Sequence, residues 1–181
     1  MKKIAVTIEG ISELMMHNPE SMGQTTSGKK SIPEPAVEAA ASRYLMPDGK
    51  TLCLYSDHIH RCLMLASKGF RLAARQPLMP YISGSIEILP ERISLGTVKY
   101  VVDVRRVVIQ GKGVRRARAK VWPWKATFEL HYDEEVFRQD FMDKVIRDQV
   151  FLTAGRAIGL LEYRPAKGGR FGRFRVTKWE H

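Results

Sequence analysis

The sequence predicts a single α+β domain with helices over one face of a mostly antiparallel sheet. Three features carry that reading: a period-two strand at the start, a long amphipathic helix near the end, and a strongly alternating run just before that helix. With 181 residues, 44% of them hydrophobic, the chain fills one core over 1–181, and two domains would each be thinly packed.

In residues 3–9, Ile4, Val6 and Ile8 alternate with Lys3, Ala5, Thr7 and Glu9, the signature of a half-buried strand. Residues 17–35, HNPESMGQTTSGKKSIPEP, hold almost no large apolar side chain and predict a flexible insertion. Pro35 opens a short helix over 36–44, and Pro47-Asp48-Gly49 turns the chain into a strand over 51–56. Asp57 is placed to cap a helix that gathers Ile59, Cys62, Leu63, Leu65 and Ala66 towards one face and stops at Gly69.

Prolines and glycines punctuate 77–97 around a short strand, GSIEIL. A basic hairpin follows: 97–109 rises, Gln110-Gly111-Lys112-Gly113 turns, and 114–132 returns with Phe128, Leu130 and Tyr132 alternating. Asp133 caps a helix carrying Val136, Phe137, Phe141, Met142, Val145, Ile146, Val150 and Phe151 at spacings of three and four, continuing to about Gly159. A glycine-rich loop then leads to a last strand, GRFRVTKW. The order suggests a βαββαβ core of the ferredoxin/RRM-like kind with inserted loops, a fold whose uncovered sheet face touches RNA in RRM domains.

Thirty Lys and Arg against 19 Asp and Glu leave a net charge of +11, the balance of a surface that meets a polyanion. The charge is clustered. Between Asp103 and Glu129 no acid occurs, while Arg105, Arg106, Lys112, Arg115, Arg116, Arg118, Lys120 and Lys125 are basic. On a strand, Arg116, Arg118 and Lys120 share a face at a spacing of about 6.6–6.8 Å, close to a phosphate repeat. Trp122 and Trp124 follow; either offers a stacking platform for bases, and strand alternation sends one of them to the core. The second acid-free tract holds Arg164, Lys167, Arg170, Arg173, Arg175 and Lys178, with Gly168, Gly169 and Gly172 placed to let backbone amides cradle an anion. A softer set is Arg61, Lys68, Arg71 and Arg75, which also suits a helix C-terminus.

The opening MKKIAVTIEG lacks a signal-peptide core, and no apolar run approaches the ~20 residues of a membrane span, so a cytoplasmic protein with no membrane partner is expected. Cys53 and Cys62 are too few for a disulfide framework. Of the histidines His17, His58, His60, His131 and His181, His58 and His60 are two apart and neither has a Cys, Asp or Glu set at metal-ligand spacing; neither metal nor cofactor is expected, and no residue declares itself catalytic.

GRAIGLLEYRPAKGGRFGRFRV at 155–176, the opening strand KKIAVTIEG and the basic hairpin resemble the RAMP superfamily of CRISPR-associated proteins. There, RRM-like domains carry a glycine-rich loop between the final helix and the final strand. The spacing here, G-x8-GG-x2-G from Gly159, departs from the dense GxGxxxxxGxG pattern. The resemblance implies a backbone-type subunit that assembles as a homo-oligomer or filament along guide RNA, with other effector subunits as partners. Phage-borne or stand-alone relatives would share these features. It also offers His17 or His58 as a general base for RNA cleavage, and Asp48 or Asp103 as a cleaving loop aspartate.

The expected function is therefore a non-catalytic binder of single-stranded RNA or DNA. Arg105, Arg115, Arg116, Arg118 and Lys120 would meet phosphates, Trp122 or Trp124 would stack, and Arg164, Lys167, Gly168, Gly169, Arg170, Gly172 and Arg173 would clamp the backbone. The alternatives are a metal-independent RNA-processing endonuclease and a phage structural or assembly protein facing an acidic neighbour.

Overall fold

A computed structural model describes residues 1–19, 33–109 and 111–181. Most of the predicted insertion at 17–35, and Gln110 of the hairpin turn, lie outside the described residues. In chain order the elements are β1 (Lys2–Gly10), β2 (Leu14–Met15), α1 (Pro35–Ala41), β3 (Cys53–Tyr55), α2 (Ser56–Ala66), β4 (Arg71–Ala73), β5 (Gln76–Pro77), α3 (Met79–Ser85), β6 (Ile86–Leu89), β7 (Arg92–Ser94), β8 (Val101–Ile109), β9 (Lys112–Val121), β10 (Lys125–Tyr132), α4 and β11 (Phe174–Glu180). Helix α4 begins at Gln139–Phe141 and runs into π-type turns, Met142–Phe151 and Ala154–Ile158.

The main sheet has the order β11-β1-β10-β6, antiparallel throughout. Taking β1, β6, β10 and β11 as core strands one to four, this is the 4-1-3-2 order of a ferredoxin-like βαββαβ fold, with α2 and α4 as its two helices. Ile4, Val6 and Ile8 are fully buried as their alternation predicts, alongside Phe128, Leu130 and Tyr132 of β10. They pack in one cluster with Ile59 and Leu63 of α2 and with Met142, Ile146, Val150 and Ala154 of α4. The opposite face carries Lys3, Glu9, Lys125, Glu129 and His131, tied into ion pairs Lys3–Glu129, Lys125–Glu9 and His131–Glu129. It is a mixed-charge face that shares Lys125 and Arg175 with the two cationic tracts, both paired to Glu9.

The return strand expected over 114–132 is two strands in two sheets. Pro123, which cannot donate to a ladder, falls between β9 and β10, and the chain changes sheet there. A second sheet, β2-β9-β8, holds the basic hairpin, with Arg105 opposite Arg116 and Asp103 opposite Arg118. Strand β9 would be a long free edge beyond β2, and α1 closes it: Glu38 accepts from the Ala117 amide and Ser42 Oγ from the Ala119 amide (3.1 and 2.9 Å). Further corrections are local. Strand β3 pairs with β7 outside the main sheet, and Met79–Ser85 is helical. Tyr55, not Asp57, is the N-cap of α2, with its amide donating to His58 Nδ1. Helix α4 starts at Gln139, because Asp133 spends its caps on a turn at Glu135 and Phe137.

Candidate nucleic-acid interface

The glycine-rich loop is tightly closed. Gly168 N–H donates to Pro165, Gly169 N–H to Arg164, Phe171 N–H to Tyr163 and Gly172 N–H to Glu13, all at 2.7–3.0 Å. Since these amides are spent within the protein, the predicted anion cradle at Gly168, Gly169 and Gly172 is absent. The glycines serve packing instead. A Cβ at Gly169 would overlap the Tyr163 carbonyl, and one at Gly172 would overlap the Leu160 carbonyl. Non-glycine residues also adopt left-handed backbone here, Leu161 at φ 59° and Tyr163 at φ 50°. Such outliers persist only where the surroundings hold them, and they cluster at functional sites.

Beneath the cations the loop supplies an aromatic floor of half-buried Tyr163 and buried Phe171. Tyr163 meets Phe171 edge to face at 6.4 Å. The hairpin cations stand on it: Arg105 lies 4.9 Å from the Phe171 centroid and 5.5 Å from Tyr163, Arg118 lies 5.5 Å from Tyr163, and Lys120 lies 5.9 Å from Phe171. From the loop itself Arg170 reaches Phe171 at 5.6 Å. The two acid-free tracts, separated in the chain, thus meet face to face over two rings. Each cation–π contact contributes about 0.5–2 kcal/mol depending on desolvation.

Acids trim the cluster at two points. Asp103 pairs with Arg105 (2.5 Å) and Lys120 (3.2 Å), and Glu38 pairs with Arg116 (3.1 Å). The hydrogen bond from Arg105, helped by Lys120, holds the Asp103 carboxyl below its ordinary range despite burial. Arg118 has no carboxylate partner among the described residues, and its buried Nε lacks any hydrogen bond. Arg115 donates to the Pro33 carbonyl (3.2 Å) at the exposed end of the hairpin. Lys167, Arg170 and Arg173 are exposed along the rim.

The two tryptophans part company. Trp122 is 55% exposed beside Lys120. Trp124 is 4% exposed, its indole N–H donating to Ser12 (2.8 Å), with its ring against Gly10; it is core and has no face for a base. Tyr163 and Phe171, which sequence reasoning passed over, form the floor; aromatic residues inside a cationic, glycine-rich stretch were the available signal.

Behind the loop lies a cavity of about 190 Å³ reached by His17, Asp57, His58, Arg61, Glu162 and Arg164. It brings together the two histidines named as possible bases. Burial pushes His58 down to about 4, and its Nδ1 accepts the Tyr55 amide at 3.1 Å, so the neutral ring carries its proton on Nε2. At neutral pH His58 is a donor and not a base. His17 is lowered chiefly by burial, then by Arg118, with Glu162 opposing. Arg164 donates to the Leu161 carbonyl (2.9 Å), while its buried Nε has no partner. Cys62 is buried and hydrogen-bonded to Ala154 and Gly159 carbonyls, with its thiol pushed up to about 12. Neither Asp48, bonded to its own turn at Thr51, nor Asp103, between two cations, is a free loop carboxylate.

No family model and no curated protein matches the sequence. Among solved structures, the chain is similar to one in the cryo-EM structure of the Type III-B Cmr-beta bound to cognate target RNA. The likeness has a TM-score of 0.60 at 15% identity and covers 98% of this chain and 59% of that one. This chain therefore spans about three-fifths of its neighbour's length and shares its fold. No described helix is long and apolar enough to cross a membrane.

Proposed function

We propose that the chain is a non-catalytic single-stranded nucleic-acid binding protein whose ligand is RNA and whose fold is that of a RAMP-type effector subunit. The observation that carries this is the meeting of hairpin and loop cations over the Tyr163–Phe171 floor, which makes one continuous basic face from two distant tracts. Arg118, Arg170 and Arg173 contact phosphates, Arg105 and Lys120 join them as Asp103 gives way, and Trp122 stacks on a base. The fold shared with a chain from an RNA-bound complex supports the same reading.

Copies lie side by side on the ligand, with other effector subunits as neighbours. The outer edge of β8 supports this, since among the described residues no strand pairs with it and Val101, Val104 and Val108 are 63, 48 and 73% exposed. The test is fluorescence anisotropy with labelled single-stranded RNA and DNA across a salt series. The expected affinity falls with salt by about 0.7 in log K per log salt for each phosphate contact, and R118E weakens it. Salt-independent binding, or binding indifferent to R118E, overturns the reading. Light scattering on the same samples reports assembly: particle mass rises with oligonucleotide length if copies align.

A further inference from the structure

We infer that the cavity behind the glycine-rich loop is a pocket for one unstacked guanine base, an inference that rests on the RNA reading above. Its size comes first. About 190 Å³ exceeds the ~150 Å³ apolar cavity that admits a benzene ring, so one heterocyclic base fits and a second does not.

Its lining selects the base. Asp57 and Glu162 supply carboxylates, acceptors only, which suit the ring N–H and exocyclic amino group on guanine's pairing edge. Arg61 and Arg164 supply donors, which suit guanine O6 and N7. Arg164 is committed to Leu161 through one nitrogen only, and its buried Nε is an orphan donor. Adenine presents an amino group where guanine presents O6, and it lacks the ring N–H. Uracil and cytosine lack N7, so neither offers an arginine the paired acceptors O6 and N7.

Access comes from the loop's geometry. Glu162 and Arg164 line the cavity, whereas Tyr163 between them carries its ring to Arg105 and Arg118, and the left-handed turns at Leu161 and Tyr163 accompany that alternation. His17 lines the same cavity and lies within the electrostatic reach of Arg118 and Arg116 of the hairpin. A strand held on the hairpin and loop cations can therefore turn one base inward, the manner in which single-stranded RNA is commonly read.

The test compares a labelled oligouridine with the same RNA carrying one central guanosine, adenosine or inosine. Guanosine is expected to tighten binding about tenfold over adenosine, a value within one bidentate readout, and inosine, lacking the amino group, falls between. E162Q abolishes the ratio of guanosine to adenosine affinity, whatever its change of charge does to oligouridine; R61A, at an exposed lining residue, does the same if E162Q does not fold. Equal affinity for guanosine and adenosine, or equal losses on every RNA, overturns the inference while leaving the interface standing. If no RNA binds, the interface reading fails, and calorimetric titration with free guanosine decides the pocket: heat that E162Q or R61A abolishes sustains it, and none ends it.

Discussion

Gly168, Gly169 and Gly172 are close in sequence and held for different reasons. Gly168 sits at φ 75° with nothing near its missing Cβ, Gly172 combines φ 66° with a carbonyl collision, and Gly169 has the collision alone. Gly168→Ala is expected to cost about 1 kcal/mol of backbone strain. Gly169→Ala and Gly172→Ala should cost roughly 2 kcal/mol or more, because a backbone carbonyl must move. Thermal melts give the order, and a phosphate-binding amide at Gly172 would instead show as lost affinity with the melt unmoved. His58 supplies a pH-dependent counterpart. Its folded value of about 4 lies below the ordinary 6.5, so between the two the unfolded chain takes a proton that the folded chain refuses. Stability is full above pH 6.5 and falls as pH drops towards 4, by about 2–3 kcal/mol at the acid end. Urea titrations from pH 7.5 to 4.5 should show that fall, and H58Q should flatten it; His17, shifted the same way, remains in both proteins and cancels in the difference. Single residues of this kind were only partly legible in the sequence. Glycines signal a constrained backbone, but whether an amide faces an anion or a neighbouring carbonyl is a tertiary fact, and the left-handed Tyr163 leaves no sequence mark at all.

At the level of elements, period-two and period-three-to-four patterns placed β1, β10 and α4 well, because each has one face in a single core and the pattern is the burial itself. The same logic failed at the hairpin. Arg116, Arg118 and Lys120 alternate with alanines in β9 just as Thr127 and Glu129 alternate with apolar residues in β10, so the pattern runs through and Pro123 was the break signal. Short helices α1 and α3 were weakly marked because their positions are set by what they cover, α1 closing the edge of β9 through Glu38 and Ser42. Strand β8 contributes a restraint that composition hides. Asp103, its side chain 10% exposed, holds both Arg105 and Lys120. Asp103→Asn is expected to tighten nucleic-acid binding a few-fold at low salt and to steepen the salt dependence, since two cations are released and one negative charge is lost. Anisotropy at about 50 and 300 mM salt measures it, with the gain shrinking at the higher concentration as screening shortens. A variant that binds more weakly at low salt would mean that Asp103 orients the cations rather than restraining them.

For the molecule as a whole, the net charge of +11 includes a cluster where hairpin meets loop, while the open face of the main sheet pairs its lysines with Glu9 and Glu129. Bulk attraction and a defined track both predict salt-sensitive binding, so salt alone does not separate them. Charge reversals matched in size but not in place do. Lys3→Glu, Arg118→Glu and Arg170→Glu each change the net charge by two, and their effect on long-range steering is similar. If polyanion affinity comes from net charge, all three weaken binding equally. If the ligand lies on the cations above the aromatic floor, R118E and R170E each lower the magnitude of the salt slope by about 0.7, one phosphate contact, whereas K3E leaves the slope unchanged. The double reversal R118E/R170E tests continuity further. Both cations stand on one ring pair, Tyr163 and Phe171, so a single strand crossing both sites loses contacts cooperatively and the paired loss departs from the sum of the single losses. Strict additivity together with an equal effect of K3E would reduce the interface to diffuse electrostatics and remove the reason to assign it a path.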